Sequence, residues 1–308
     1  MSSRPIRLGT RASILARWQA DWVAARLREL GHEVEIVLVS TRGDRDQTHA
    51  IGAMGGDGLF TKELQRSLLA EEVDLAVHSL KDLPTEPVAG LTIGAVPARG
   101  PIGDVLVSRD AANFDALPRG AIVGTGSQRR RAQLLHVRAD LTMKDIRGNV
   151  ETRLRKLKEG DYDALVLAAA GLTRLGLEHE ITQHLPMTLI LPAIGQGALG
   201  LECRAADART LTAIAPLDDQ ATQAAVVAER SMLRALSGGC LAPVAAWGRV
   251  EPDGQLKLTA AVLSTDGQKR LHAERVSALD AAEELGQQVA TDLAGQGAGD
   301  LIRAARTN

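Results

Sequence analysis

Ala121-Ile-Val-Gly-Thr-Gly-Ser-Gln-Arg-Arg-Arg131 is the stretch whose reading decides the fold class. Residues 121–123 are apolar and read as a short strand. Gly124 and Gly126 supply a turn, and Ser127 is an N-cap residue opening a helix over 127–137. Strand, glycine turn and capped helix in direct succession make one α/β unit. Working outward, residues 105–107, 141–146 and 164–167 read as further strands and 150–158 as a helix. The same alternation fills the preceding hundred residues. Strands are expected at 5–8, 34–39 and 75–77, with helices at 13–30, stopped by Gly31, and at 61–70. The turn-rich run Pro97-Ala-Arg-Gly-Pro-Ile-Gly103 separates the two series. Each series predicts an α/β lobe built on a parallel sheet with helices on both faces.

The last ninety residues change style. A helix over 219–236 ends at Gly238-Gly239. Strand-like runs at 244–250, 256–263 and 270–276 are joined by Pro252-Asp-Gly254 and Thr265-Asp-Gly267, and a helix over 279–293 follows. This predicts a small α+β C-terminal domain. A further β-run, 199–203, follows Gly195-Gln-Gly197, and residues 41–58 form a long polar, glycine-rich loop.

Composition narrows the function. The chain has 308 residues, 45% hydrophobic and 24% charged, which excludes a disordered tail, a collagen-like repeat and a membrane bundle. No run approaches the span of a bilayer, and Met-Ser-Ser-Arg-Pro-Ile-Arg lacks an apolar signal core, so a cytoplasmic protein with no membrane partner is expected. A net charge of -2 argues against a nucleic-acid partner. The cations are lopsided, with 29 Arg against 7 Lys. Residues 125–155 hold seven Arg and one Lys against Asp140, Asp145 and Glu151. Guanidinium forks suit carboxylates and phosphates. No metal is expected: His179 and His184 are five apart, about 140° on a helix, not the zinc-protease spacing of four.

Five stretches could carry chemistry. The turn Gly124–Arg131 offers free N–H groups, Thr125, Ser127, Arg129 and Arg130 to an anion. Arg147-Gly-Asn-Val-Glu-Thr-Arg153 and Thr10-Arg11-Ala-Ser13 repeat the logic at two other strand ends. His78-Ser-Leu-Lys-Asp82 places Ser79, Lys81 and Asp82 at the end of the apolar strand 75–77, where an acid facing an anion site is costly without a task. Ser237-Gly-Gly-Cys240 presents a thiol on a glycine loop, whereas Cys203 lies in an apolar run and reads as a core thiol. Gly195-Gln-Gly-Ala-Leu-Gly200 matches G-x-G-x-x-G in letters only. A strand follows it, so it reads as a hinge between lobes, not a dinucleotide site. These residues leave two readings open: an enzyme acting on an organic polyanion, and a non-catalytic two-lobed binding protein for one.

In sum these motifs resemble hydroxymethylbilane synthase, also called porphobilinogen deaminase. The resemblance covers nearly the whole chain. It rests on Arg11-Ala-Ser13, Thr41-Arg-Gly-Asp44, Gly58-Leu-Phe-Thr-Lys-Glu63, His78-Ser-Leu-Lys-Asp82, Gly124-Thr-Gly-Ser-Gln-Arg-Arg130, Arg147-Gly-Asn149, Ala170-Gly-Leu-Thr-Arg-Leu-Gly176, Pro192-Ala-Ile-Gly-Gln-Gly197 and Gly238-Gly-Cys240.

The resemblance implies two lobes like type II periplasmic binding proteins, with mixed sheets, plus the C-terminal domain. The boundaries are 1–97 with 198–216, 103–191, and 218–308. It implies a transferase that condenses four porphobilinogens head to tail, releasing ammonia and then the linear hydroxymethylbilane. The implied cofactor is a dipyrromethane held as a thioether by Cys240, with Asp82 catalytic. Arg11, Ser13, Ser79, Lys81, Thr125, Ser127, Arg129, Arg130, Arg147, Arg153, Arg174 and Gln196 are the implied binding residues. Asp57 and Phe60 lie in an implied lid loop, and a monomer is implied. Three positions depart from the family pattern: Asp57 stands where Lys is frequent, Gly100-Pro-Ile-Gly-Asp104 lacks the Arg of Asp-Pro-Arg-Asp, and Pro243-Val-Ala replaces Pro-Ile-Gly.

Overall fold

The structure is a computed structural model, and it describes residues 4–39, 61–237 and 242–307. Asp57, Phe60 and Cys240, together with the expected loop 41–58, lie outside the described residues. The chain divides into two compact units, one of Met1–Arg99 and Ala198–Gln223 and one of Gly100–Gly197 and Ala224–Asn308.

The first unit is built on β1 (Ile6–Thr10), β2 (Val34–Leu38), β3 (Leu75–Ser79), β4 (Leu91–Ala95) and β10 (Leu199–Arg204), in the order β2-β1-β3-β10-β4. Helix α1 (Ile14–Glu29) buries Gln19, Ala20, Val23, Ala24 and Leu27. Its apolar members join Leu8, Leu75, Leu201 and Cys203 in one core cluster. The i, i+4 spacing of 19, 23 and 27 explains the single buried stripe. Helix α2 (Lys62–Leu69) places Leu64 and Leu68 in a separate cluster with Val73 and Ala76. Each of these leucines contributes about 2 kcal/mol by burial.

The second unit carries β5 (Asp104–Ser108), β6 (Ile122–Gly124), β7 (Thr142–Lys144), β8 (Ala164–Ala168) and the short β9 (Gln183–His184), in the order β7-β6-β8-β5-β9. Helices α3 (Gln128–Val137), α4 (Val150–Lys158) and α5 (Ala169–Arg174) follow β6, β7 and β8. The unit also holds an antiparallel sheet of β11 (Val244–Val250), β12 (Leu256–Leu263) and β13 (Arg270–Ser277). Helices α7 (Gln220–Ala235, from Ala224 onward), α8 (Ala282–Gly295) and α9 (Ala298–Thr307) accompany it; the remaining helix, α6 (Ala208–Ile214), belongs to the first unit. The β12–β13 turn packs on α3: His136 Nδ1 donates to the Gly267 carbonyl at 2.7 Å. Gly267 has φ +75°, and a Cβ there would stand 2.6 Å from the His136 backbone nitrogen, so only glycine fits this approach.

The fully parallel sheets expected from the alternation are corrected. β1, β2 and β3 pair in parallel, but β10 runs antiparallel to both β3 and β4. β6, β7 and β8 pair in parallel, but β5 runs antiparallel to β8 and β9. The reversed strand in each sheet is the one that enters after the chain has left the other unit. β10 begins opposite Ser79, the last residue of β3, and must therefore run back along it. The same order recurs in both sheets, so each unit is built on a mixed sheet. Among the described residues no helix is long and apolar enough to cross a membrane.

Cys203 is fully buried on β10, and burial pushes its thiol up to about 11. Thiolate, the reactive form, is then scarce at pH 8. In a Cys240→Ala chain, an aromatic disulfide reagent at pH 8 should find no thiol in the folded protein and one per chain in guanidinium. Rapid labelling of the folded variant would contradict this placement.

Candidate active site

In the first unit, two strand ends meet in one pocket. Arg11, Ser13, Gln19, His78, Ser79 and Asp82 line it. β1 ends at Thr10, and Ser13 caps α1, its hydroxyl accepting from the Ala16 nitrogen at 3.4 Å. Thr10 Oγ1 donates to the Ala16 carbonyl at 3.1 Å and tightens the same corner. β3 ends at Ser79, whose hydroxyl accepts from Gln19 Nε2 at 2.7 Å. The chain then makes a single 3₁₀ turn, Leu80–Asp82, that leaves the Asp82 carboxylate exposed at the strand end. Lys81 is half-buried on the same turn. Four of the residues expected from the sequence are thus brought together, and Gln19 joins them. Its signal was a polar residue in the apolar row 19–23–27 of α1.

In the second unit, Ser127 caps α3 as expected, accepting from the Arg130 nitrogen at 3.4 Å. Thr125 is buried and its hydroxyl accepts from the Ser127 nitrogen at 3.2 Å. Arg129 and Arg130 are only 4% and 7% exposed, and both turn onto Asp104 at the head of β5. Arg129 Nη1 donates to Asp104 Oδ2 at 2.7 Å and also to the Leu191 carbonyl. Arg130 donates to Asp104 Oδ1 from Nη2 at 2.8 Å and from Nε at 3.0 Å. Gln196 Nε2 donates to the same oxygen at 3.0 Å and to the Ile102 carbonyl at 2.7 Å. Burial alone would raise the Asp104 carboxyl; the two guanidinium charges and their hydrogen bonds outweigh it and hold it well below the usual carboxylate range. One carboxylate faces two guanidiniums, so the cluster keeps a positive charge. Asp104 was not singled out as a site residue, although an acid heading the apolar run 105–107 was a signal for one.

The other arginines of the expected set lie in the turn before α4, in α4 itself and at the end of α5. Asn149 caps α4, accepting from the Thr152 nitrogen at 2.9 Å, and Arg153 Nε donates to the Gly148 carbonyl at 2.8 Å. Arg147 is exposed at the start of that turn. Arg174, pushed down to about 10 by burial, donates from Nη2 to the Gly197 carbonyl at 2.7 Å. Gly197 has φ +85°, and a Cβ there would stand 2.7 Å from the Gly100 carbonyl oxygen, which accounts for glycine at this crossing.

The family model described as porphobilinogen deaminase, dipyromethane cofactor binding domain, matches residues 6–212, and that of the porphobilinogen deaminase C-terminal domain matches 223–295. The chain belongs to the porphobilinogen deaminase family. The porphobilinogen deaminase of Desulforudis audaxviator is 50% identical over 305 residues, covering 98% of both chains. That of Brevibacillus brevis is 47% identical over 298 residues, covering 96% of both. As a porphobilinogen deaminase the chain is a transferase of tetrapyrrole biosynthesis with a dipyrromethane cofactor. The pocket and cluster residues all fall within the cofactor-binding match, and Cys240 falls within the C-terminal match. The donor set fits such a group: guanidinium, hydroxyl and amide for its carboxylate arms, and a carboxylate for pyrrole N–H.

Proposed function

We propose that Asp82 is the catalytic carboxylate of a hydroxymethylbilane synthase, and that the arginines hold the carboxylate arms of successive pyrrole units. The reaction joins four porphobilinogens head to tail, releasing ammonia at each addition, and water then frees the linear product. The observation that carries the residue assignment is the pocket in which Asp82 stands exposed beside Arg11, Ser13 and Ser79.

Loss of ammonia from porphobilinogen leaves positive charge on its methylene and ring nitrogen. A carboxylate at that point offsets the charge and can take and return a proton. Arg11 and the Ser13 and Ser79 hydroxyls bind carboxylate arms in the first unit. In the second, Arg147 does so from a turn and Arg153 and Arg174 from α4 and α5, with Thr125 and Ser127 as further donors; Lys81 is a further donor in the first. Arg129 and Arg130 contribute through the positive charge that Asp104 leaves uncompensated, with Gln196 fixing the Asp104 carboxylate.

Cys240 holds the dipyrromethane as a thioether, and the bound group supplies the pyrrole carbon to which the first substrate is joined. Asp57 and Phe60 are proposed as lid-loop residues. The boundaries 1–97 with 198–216, 103–191 and 218–308 are proposed as three domains, and the enzyme as a cytoplasmic monomer.

Purified protein given porphobilinogen should release one ammonia for each molecule consumed, and acid-quenched samples should show enzyme masses stepped by one pyrrole unit. Consumption without ammonia, or no consumption, would refute the proposal. Arg11→Leu should stall at a defined step, with one enzyme–pyrrole mass accumulating. A raised KM with an unchanged set of masses would remove Arg11 from the binding series.

A further inference from the structure

Behind the turn that carries Asp82 lies a polar cluster with no part in the chemistry so far. His78 and Glu202 are each 4% exposed. Glu202 on β10 stands opposite Ala76 on β3, and His78 stands opposite Gly200, so both side chains leave the same face of the sheet. His78 Nε2 donates to Glu202 Oε2 at 2.9 Å, and Gln65 Nε2, from α2, donates to Oε1 at 3.0 Å. Around them Leu64, Leu68, Val73 and Ala76 form an apolar cluster, and the charges further along the same face are paired, Arg204 and Arg7 with Asp74. A leucine at 202 would pack there without desolvating a charge, whereas a carboxylate is retained only at a cost. The imidazole that it holds also lines the Asp82 pocket. On the opposite face, Gln19 grips Ser79. The end of β3 is therefore held from both faces immediately before the 3₁₀ turn Leu80–Asp82.

We infer that Glu202 is a positioning residue: with Gln65 it fixes the His78 ring, and through it the place of the Asp82 carboxylate against the reacting methylene. This rests on the reading of Asp82 as the catalytic carboxylate. Glu202 touches no substrate. Its effect runs through one imidazole and one turn, and it falls on the chemical step, not on substrate binding.

The test uses protein carrying its covalent pyrroles and compares Glu202→Gln, Glu202→Asp, His78→Asn and the double variant Glu202→Gln/His78→Asn. The amide keeps the size and hydrogen-bonding reach of the side chain but not its charge. Glu202→Gln should retain the pyrrole mass and the thermal midpoint, keep KM within about twofold, and lose about 10- to 100-fold in kcat, the scale of a misplacement of about 1 Å. Glu202→Asp should recover part of that loss. His78→Asn should fall similarly, and the double variant should be no slower than the slower single variant. Should His78→Asn fail to fold, the two Glu202 variants decide alone. Wild-type kcat in Glu202→Gln, a raised KM at unchanged kcat, or a kcat loss matched by loss of folded protein would each overturn the positioning role. An active, pyrrole-loaded wild type beside an equally active Glu202→Gln removes only this role. A wild type without pyrroles or ammonia release removes the underlying reading as well.

Discussion

Asp82→Asn, purified with its covalent pyrroles in place, is expected to release ammonia from porphobilinogen at least about a hundredfold more slowly than the unaltered enzyme. The residue sits on a single 3₁₀ turn and is exposed, so the amide should be accommodated without loss of fold. Arg11, Ser13, Gln19 and Ser79 stay as they are, so substrate binding should survive. What disappears is a negative charge beside a developing cation and a group able to carry a proton. Asp82→Glu keeps the charge but moves it by one methylene, and should be faster than Asp82→Asn. Single-turnover ammonia release on loaded protein is the appropriate measurement, because assembly of the pyrroles uses the same chemistry. Near-normal release from loaded Asp82→Asn would take Asp82 out of the mechanism.

The second large effect concerns stability. Asp104→Asn should destabilise the second unit by about 3–5 kcal/mol, because it leaves two buried guanidiniums without their counter-charge. For a unit of this size that corresponds to a fall in Tm of about 6–20 °C. The sign of the pH dependence follows from the depressed Asp104 carboxyl. A carboxyl whose folded-state value lies below its unfolded one contributes fully above the unfolded value, about 4, and loses that contribution as the pH falls further. The gap in Tm between the two proteins should be constant near neutrality and narrow progressively below about pH 4. Thermal melts from pH 7 to pH 3 measure it. An equal gap at every pH, or none, would show that the charge of Asp104 does not hold the arginine pair.

Local chemistry was legible in the sequence, and long-range pairing was not. Ser13 and Ser127 cap their helices as their residue type and position imply, and α4, β11 and β12 occupy the expected residues. β4, β9, α5, α6 and α9 have no counterpart among the expected elements. β4 is a five-residue edge strand interrupted by Gly94, and α9 follows Gly297 after an apparent helix end. The reversed strands β5 and β10 carry no mark of direction, since an apolar run reads alike in either sense. The arginines show the same divide. Their strand-end positions were evident, but their orientation depends on Asp104, 25 residues before Arg129, and no periodicity connects the two. Likewise Glu202 meets His78 across 124 positions of chain and Gln65 across 137, through sheet pairing and helix packing.

On the reading proposed for Cys240, the enzyme builds its product on pyrroles bound covalently to that residue. The mass of the intact chain under denaturing conditions tests it most directly, because only a covalent adduct survives unfolding. The purified protein should exceed the mass of its sequence by two pyrrole units. Cys203→Ala should keep that excess, and Cys240→Ala should lose it. A bare chain mass in protein that turns over porphobilinogen, or an adduct that persists in Cys240→Ala, would contradict the account.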